Sequence, residues 1–254
     1  KWNNEPTNDL PSEMLYIKDC DKNKYWSMVS RIANDMAYVI KYGYGYSEYI
    51  QVCDDILQNV TVYVPEKEAS KNIIISLKNL NNNKRNFKLY YYMDAILGED
   101  ILKTEGNIIC NYEKNRIGIK NIFSNQFEKE VFVRSSEKIS KIYTSPKEFF
   151  GNNLDTRCPE AIIYKKENEN STEFFKSNSV VMECDIKLNE FEKKDIIIKI
   201  TTDEETKNIN LYEALISLED TKSMWNQKLS RVKINTPSKQ LNIFINGCCM
   251  YQTL

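Results

Sequence analysis

A chain of 254 residues is long enough to bury a sizeable core, and it fits either one large all-β domain or two smaller ones. Its 35 Lys and Arg residues nearly balance 36 Asp and Glu residues, so the formal charge of -1 gives no field that would attract nucleic acid or an anionic membrane. The absence of histidine excludes Ser-His and Cys-His nucleophile systems and removes the commonest metal ligand.

The seven cysteines are scattered and contain no C-x-x-C pair, so neither a disulfide framework nor a zinc site is predicted. They are expected to be reduced and to act as small hydrophobic residues. No run approaches the roughly 18 apolar residues of a membrane span, and the first residues do not resemble a signal peptide. A cytoplasmic protein is therefore expected. Because the chain begins with Lys1 rather than Met, both of its ends are interpreted as cut from a longer protein.

Period-two runs rich in Val, Ile, Tyr and Phe fill the middle of the chain and indicate antiparallel strands. They are NVTVYVPE from Asn59, KNIIISLKNL from Lys71, NFKLYYYMDAI from Asn86, NRIGIKNIF from Asn115, KEVFVRSS from Lys129, SVVMECDIKL from Ser179 and KDIIIKITT from Lys194. The last two runs flank the polar turn NEFEKK and predict a hairpin. Asparagine is expected to fill positive-φ turn positions, as in NLNNNKRN from Asn79. Many short strands without a long helix before about residue 210 predict a mainly β fold, a large antiparallel β-sandwich.

After Asn210 the apolar period becomes helical. The segment LYEALISLEDTKSMWNQKL places these residues on one side of a predicted helix: Leu211, Ala214, Leu215, Leu218 and Trp225. SRVKINTP then predicts a short extended segment. After Pro237 a second helical stripe follows, made of Leu241, Phe244, Ile245, Cys248 and Cys249. Because the sequence stops at Leu254 without a cap or closing turn, this stripe is expected to pack on a surface outside these residues.

Two patterns suggest chemistry that their surroundings do not support. YGYGYSEY, from Tyr42 to Tyr49, lacks the spacing of a phosphate loop, so its glycines are interpreted as letting rings of a neighbouring strand lie across the backbone. A ligand role is the less favoured alternative. Acidic pairs occur at 54–55, 99–100 and 203–205, but a glycosidase needs two carboxylates that face each other across a sugar. We expect these acids to be solvent-facing charge, and we predict no metal ligand.

The segment TSPKEFFGNNLDTRCPEA, from Thr144, is predicted to be a long irregular loop that carries aromatic, amide and guanidinium groups. Its candidate substrate-binding residues are Phe150, Asn152, Asn153 and Arg157. An ordered connection between sheets, with its phenylalanines in the core, is the other interpretation. The 16 tyrosines leave a similar choice open, because rings with polar tips both stack on sugars and fill sandwich cores.

Four blocks in one order resemble the amino-terminal domain of glycoside hydrolase family 94, formerly called glycosyltransferase family 36. They are WNNEPTNDLPSEMLYIKDCDKNKYWS from Trp2, YGYGYSEY, FFGNN and VKINTPSKQLNIFINGCCMYQTL. The opening block is most similar to the branch of cyclic β-1,2-glucan synthases and 1,2-β-oligoglucan phosphorylases. The resemblance implies a galactose-mutarotase-like super-sandwich over residues 1–236. Residues 237–254 would begin a helical linker toward an (α/α)6 catalytic barrel beyond Leu254.

The same resemblance implies a function in the metabolism of β-linked glucans. The segment would be the non-catalytic sandwich domain of a bacterial phosphorylase or glycosyltransferase, with β-glucan oligosaccharide, the barrel and a second copy of the chain as partners. In the intact enzyme inorganic phosphate would be the co-substrate, glucose 1-phosphate the product, and no cofactor would be needed. The chain departs from the family pattern at Tyr42, Cys248 and Cys249, where histidine and a Trp-Leu pair are usual. The alternative is a free-standing carbohydrate-binding or assembly module without a catalytic partner.

Overall fold

The computed structural model describes residues 12–29, 37–98, 104, 106–124, 127–164, 178–204 and 210–253. Within these residues 13 strands form two sheets in which every pairing is antiparallel. The predicted antiparallel β-sandwich is confirmed.

The smaller sheet has five strands and the larger has eight. The five-stranded sheet runs in the order β11 (Ile139–Tyr143), β12 (Ser179–Leu188), β7 (Arg85–Asp94), β1 (Glu13–Asp19) and β2 (Lys24–Ser27). The eight-stranded sheet runs in the order β3 (Tyr38–Gly43), β4 (Tyr46–Cys53), β5 (Ile56–Tyr63), β6 (Ser70–Asn79), β13 (Lys193–Thr201), β10 (Val131–Ser135), β9 (Arg116–Asn121) and β8 (Ile108–Glu113). All seven period-two runs become strands of these sheets.

The helices of the described residues lie between strands of the smaller sheet and after the last strand. They are α1 (Pro146–Phe150), α2 (Glu160–Tyr164), α3 (Leu211–Leu229), α4 (Lys239–Ile243), a π-helical turn (Phe244–Cys249) and α5 (Met250–Thr253). The predicted helix after Asn210 is confirmed as α3. In this part of the chain no helix combines the length and the hydropathy that a membrane span requires.

The central strands are apolar on both faces because each sheet is covered on both sides. Ile73 and Ile75 of β6 point into the core between the sheets, whereas Ile74 points outward and packs under α3. On β7, Tyr91 faces the core and Tyr92 faces the opposite side. Runs such as NIIISL therefore read as continuous apolar stretches rather than strict alternations, which is the pattern of a strand buried on both faces.

The cysteines divide between core and surface. Cys184 is fully buried in the core, where burial raises the pKa of its thiol to about 12, so it behaves as the small hydrophobic residue expected. Cys158 and Cys248 are instead exposed. The expectation that the cysteines act as core residues is therefore wrong for these two positions.

Helix α3 begins at a cap and buries a narrower stripe than predicted. The Asn210 side chain accepts a hydrogen bond at 2.9 Å from the backbone N–H of Tyr212, which satisfies one of the free donors of the first turn. Ala214 and Leu218 pack on the larger sheet. Leu215 is 45% exposed, because the face that meets the sheet follows the i, i+4 row of Ala214 and Leu218 and turns the next residue outward.

The two runs that flank NEFEKK do not form the predicted hairpin. β12 lies in the smaller sheet, paired with β7 and β11, and β13 lies in the larger sheet, paired with β6 and β10. The chain makes a second crossing of this kind between β6 and β7. Because β6 pairs with β13 and β7 pairs with β12, the two crossings, residues 80–84 and 189–192, lie side by side. In a hairpin and in a crossing between sheets alike, a polar turn joins two apolar strands. Sequence periodicity therefore cannot distinguish one from the other.

The side chain of Asn79 joins the two crossings. Its amide nitrogen donates to the carbonyl oxygens of Asn83 at 2.7 Å and of Asn189 at 2.9 Å, and its amide oxygen accepts from the backbone N–H of Asn81 at 3.1 Å. The side chain of Asn79 is fully buried. It therefore supplies partners to backbone groups that have left both sheets.

Asparagine does not fill the positive-φ positions expected for NLNNNKRN. Throughout residues 79–86, all described, φ is negative or extended, and the positive φ values fall instead at Asn23, Asp54, Asp55, Leu154 and Phe191 as well as at three glycines. The asparagines of this crossing act through their side-chain amides rather than through a left-handed backbone. The expectation was wrong for this reason.

Replacing Asn79 by alanine tests the joint between the crossings. The Asn79→Ala variant should lose about 1–3 kcal/mol of unfolding free energy in a urea titration, because a buried amide with three hydrogen bonds is removed. Asn82, exposed in the same crossing, is the matched control, and Asn82→Ala should change stability by less than about 0.5 kcal/mol. Equal effects of the two substitutions would contradict the role given to Asn79.

Candidate functional site

The outer face of the five-stranded sheet is covered by the segment 144–164, which follows β11. The aromatic and aliphatic side chains buried there are Met14, Tyr16, Tyr90, Tyr92, Tyr143, Phe149, Phe150, Ala161, Ile162 and Val181. The ring of Phe149 lies 5.4 Å from that of Tyr143 and 4.9 Å from that of Phe150, both edge to face. Edge-to-face contacts of this kind add to the free energy of burying the rings.

The segment was predicted as an irregular loop, yet it contains two short helices. Ser145 starts α1 by accepting a hydrogen bond from the backbone N–H of Lys147 at 3.3 Å, and Pro146 follows in the first turn. Gly151 ends the helix with a φ of 84°, a conformation that favours glycine. A side chain at this position would also collide with Glu160 of α2. The cap and the glycine explain where α1 begins and ends within a segment that was expected to be irregular.

Hydrogen bonds from the smaller sheet fasten the segment in place. Tyr16 Oη donates to the carbonyl oxygen of Thr156 at 2.7 Å, and Tyr25 Oη donates to that of Arg157 at 3.1 Å. The buried ammonium of Lys18 donates to the carbonyl oxygen of Ile162, which lies in α2. The segment is thus held by β1 and β2 as well as by its own rings.

A buried carboxylate lies beneath this cover. Glu183 of β12 accepts a hydrogen bond from Tyr143 Oη at 3.0 Å and forms an ion pair with Lys88. Burial raises the pKa of the Tyr90 and Tyr143 phenols well above the ordinary value of tyrosine, and the negative charge of Glu183 raises it further. The phenols on this face are therefore held in the neutral form.

The structure separates the four predicted substrate-binding residues into one buried and three exposed. Phe150 is 3% exposed and packs under the segment, so its ring does not reach the surface. Asn152, Asn153 and Arg157 lie on the exposed side of the same turn. The guanidinium of Arg157 donates to both carboxylate oxygens of Asp155, at 3.0 Å and 3.1 Å, and these hydrogen bonds lower the pKa of that carboxyl. The turn therefore presents two amides and one paired guanidinium to solvent.

Sequence reasoning missed the residues that anchor this segment: Lys18, Tyr16 and Tyr25. A signal was present, because EMLYIKD and KYWS are two short apolar runs separated by the polar turn CDKN. They form β1 and β2, which pair with each other. What the pattern could not indicate was which later segment would cover their outward side chains.

The glycines of YGYGYSEY are used as the sequence interpretation expected. Gly43 pairs with Tyr46 across β3 and β4, and the ring of Tyr46 lies over the glycine where a side chain would stand. Gly45, with a φ of 79°, forms the hairpin turn and contacts Trp225 of α3. The stretch is a hairpin docked on a helix rather than a phosphate loop.

The acidic pairs have different environments. Asp203 and Glu204 are exposed, as expected. Asp54 is not free surface charge, because its carboxylate reaches Arg85 at 2.9 Å and Lys22 at 2.8 Å. That expectation is corrected for Asp54, which belongs to a partly buried ion cluster. The expectations for Glu99, Asp100 and Glu205 lie outside the described residues.

The C-terminal helical segment, residues 239–253, has a polar face that hydrogen-bonds to the preceding chain and an apolar face that is exposed. Asn246 bridges the backbone of Ile234, accepting from its N–H at 2.8 Å and donating to its carbonyl at 2.7 Å. Asn242, one turn earlier, accepts at 2.8 Å from the backbone N–H of Thr236 and donates at 3.0 Å to its carbonyl. The segment 230–237, predicted to be extended, begins at Ser230, the C-cap of α3, and is held by these amides without joining a sheet. The apolar face remains exposed: the side chain of Leu241, for example, is 43% exposed.

Comparison with known proteins gives the following similarities. Residues 1–216 match the family model described as Glycosyl hydrolase 94, supersandwich domain. Cyclic beta-(1,2)-glucan synthase NdvB of Rhizobium meliloti (strain 1021) is 20% identical over 265 residues, which cover 100% of this chain and 9% of that protein. The chain thus spans less than a tenth of the length of that relative.

Two solved structures align with this chain at low sequence identity. A bacterial glucoamylase complexed with acarbose aligns with a TM-score of 0.51 and 12% identity, over 84% of this chain and 31% of that one. A putative kojibiose phosphorylase from human microbiome aligns with a TM-score of 0.44 and 11% identity, over 93% of this chain and 27% of that one. The first of these alignments supports a common sandwich architecture.

The buried phenols predict a loss of stability in alkali. A group with a raised folded-state pKa contributes stability that is complete below its unfolded pKa, about 10 for tyrosine, and that disappears as the pH rises above it. The unfolding free energy, measured by urea titration, should therefore fall progressively as the pH rises above about 10. A parallel absorbance titration should show exposed tyrosines ionising first and the buried ones only on unfolding. Ionisation of all 16 tyrosines near pH 10 with the fold intact would contradict this assignment.

Proposed function

Because the chain belongs to the glycosyl hydrolase 94 supersandwich family, we propose that it is the non-catalytic sandwich domain of a larger enzyme that acts on β-linked glucans. The observation that carries the proposal is the family match over residues 1–216. The similarity to a protein named as a cyclic beta-(1,2)-glucan synthase supports β-linked glucose as the substrate class. The proposed enzyme is cytoplasmic and bacterial.

The exposed apolar side chains near the C-terminus support attachment to a further domain. Between residues 210 and 253 the exposed large apolar residues include Tyr212, Leu215, Ile216, Val232, Ile234, Leu241 and Phe244. A concentration of this kind usually marks an interaction surface. We assign residues 1–236 to the sandwich and residues 237–254 to the start of the helical connection to an (α/α)6 barrel.

The reaction proposed for the intact enzyme is inverting phosphorolysis. A general acid protonates the glycosidic oxygen while inorganic phosphate attacks the anomeric carbon from the opposite face, so glucose 1-phosphate leaves. The acid and the phosphate site would belong to the barrel. Asp54, the carboxylate of the first acidic pair, is engaged by Arg85 and Lys22 in ion pairs, so it serves as a structural partner rather than as a free acid.

The turn at 151–157 is the part of the sandwich that we propose to face sugar or a neighbouring subunit. Asn152, Asn153 and Arg157 are exposed donors on a short turn, and amide and guanidinium groups suit sugar hydroxyls. Phe150 would support the turn from below, since its ring packs against Tyr92 at 5.0 Å. The turn is tied to the sheet by Tyr16 and Tyr25. Loops fixed to a rigid β scaffold are where binding groups commonly collect.

Separating the chain from its proposed barrel tests the main assignment. The 254-residue chain should release no glucose 1-phosphate from β-1,2-linked glucose oligosaccharides and inorganic phosphate, whereas the product of the uninterrupted reading frame should do so. Release by the short chain would overturn the non-catalytic role. A stop codon directly after Leu254 would overturn the barrel and leave the free-standing carbohydrate-binding or assembly module.

Substitutions in the turn test its role in the full-length protein. Asn152→Ala and Arg157→Ala should lower kcat/KM by roughly tenfold for each 1.4 kcal/mol of lost transition-state binding, and the melting temperature should hardly change. Phe150→Ala is the structural comparison, and it should cost about 3–5 kcal/mol of stability because a buried ring is removed. Unaltered kinetics in Asn152→Ala and Arg157→Ala, or a loss explained by unfolding, would make the turn a structural connection only.

A further inference from the structure

A cleft of about 930 Å³ opens between the β3–β4 hairpin, α3 and the C-terminal helical segment. Its volume lies in the range of roughly 300–1,000 Å³ that is usual for small-molecule sites. The aromatic residues that line it are Tyr42, Tyr44, Tyr46, Tyr63, Trp225 and Tyr251. The cleft is built on the larger sheet, whereas the segment 144–164 covers the smaller one.

Close backbone contacts hold the rings of the cleft in place. Gly45 leaves room for the indole of Trp225, and Gly247 leaves room for the hydroxyl of Tyr44. The ring of Tyr251 then lies 4.7 Å from that of Trp225 and 5.6 Å from that of Tyr44. A side chain at either glycine would displace one of these rings. The aromatic wall is therefore formed before any ligand arrives, which reduces the entropy lost on binding.

The charges of the cleft cancel. Among the described residues that line it, Glu66 and Lys228 are the two charged ones, and they pair with each other at 2.8 Å. The remaining polar groups are hydroxyls and amides, such as those of Ser47 and Gln252. A polyanion would need an excess of cations here, and the lining offers none. The lining suits a neutral ligand that has both apolar faces and many hydroxyl groups.

We propose that this cleft binds a β-linked glucose oligosaccharide. A pyranose has an apolar face that stacks on an aromatic ring and a rim of hydroxyls that hydrogen-bond to neighbouring polar groups. Tyr42, 75% exposed at the mouth of the cleft, offers a free ring for this stacking. The choice of a β-linked glucan rests on the proposed function, whereas the neutral, ring-lined character of the site rests on the residues of the cleft.

Titration of the 254-residue chain with a β-1,2-linked glucose pentasaccharide, followed by calorimetry, tests the cleft. Binding should be saturable, and Tyr42→Ala should weaken it about fivefold or more, because the stacking ring is lost. Tyr42→Phe, which keeps the ring, should lose less than Tyr42→Ala. Tyr212 is the matched control, since it is 70% exposed on α3 and does not line the cleft, so Tyr212→Ala should bind like the unaltered chain.

The outcomes separate this proposal from the proposed function. Absence of saturable binding, or equal weakening in Tyr42→Ala and Tyr212→Ala, would overturn the cleft as a sugar site. Equally tight binding of maltopentaose would overturn the assignment to β-linked glucose. Phosphorolysis by the full-length product is measured independently, so an active enzyme whose sandwich does not bind the pentasaccharide would refute the cleft and leave the proposed function standing. Equal melting temperatures of the variants would exclude unfolding as a cause.

Discussion

The sandwich depends on the two side-by-side crossings between its sheets. A chain that leaves a sheet gives up its ladder hydrogen bonds, and the exposed backbone groups must find other partners. Asn79 supplies them for both crossings at once. Next to it, Arg85 at the start of β7 donates to Asp19 at the end of β1 and to the carbonyl of Asp54 in the β4–β5 turn. Burying such ions is costly unless their hydrogen bonds are satisfied, and the paired geometry satisfies them.

This arrangement determines where function can lie. β6 and β13 form the middle of the larger sheet, and β7 and β12 that of the smaller one, so the crossings align the two sheets face to face. Each outer face then needs its own cover. The segment 144–164 covers the smaller sheet, and α3 covers the larger, where Tyr63 Oη donates to the carbonyl of Ala214 at 2.7 Å. The exposed turn at 151–157 and the aromatic cleft both lie at these covers, which hydrogen bonds and packing attach to the strands of the two sheets.

Sequence periodicity predicted individual strands and helices, but it did not predict which strands pair or which segment covers a sheet. Seven of the strands and the helix from Leu211 follow from runs of apolar residues that need no partner to be recognised, whereas the short strands β8 and β11 were not predicted. Which strands pair is decided by tertiary structure, so a polar turn such as NEFEKK predicts a hairpin even where its two strands lie in different sheets. The direction of a side chain that covers a distant face is equally invisible, so Phe150 was grouped with Asn152 although one is buried and the other exposed.

The C-terminal helical segment is attached to the preceding chain by hydrogen bonds, and apolar side chains on it remain exposed. Asn242 and Asn246 are one turn apart, and the oxygen and the nitrogen of each amide bind the backbone of the preceding extended chain. Because Gly247 has no side chain, the same segment can approach the hydroxyl of Tyr44 in the hairpin closely. The helix direction is thus set by hydrogen bonds and a close backbone contact rather than by burial of its apolar stripe. Phe244, 57% exposed, therefore remains available for packing against another surface without any rearrangement of the sandwich.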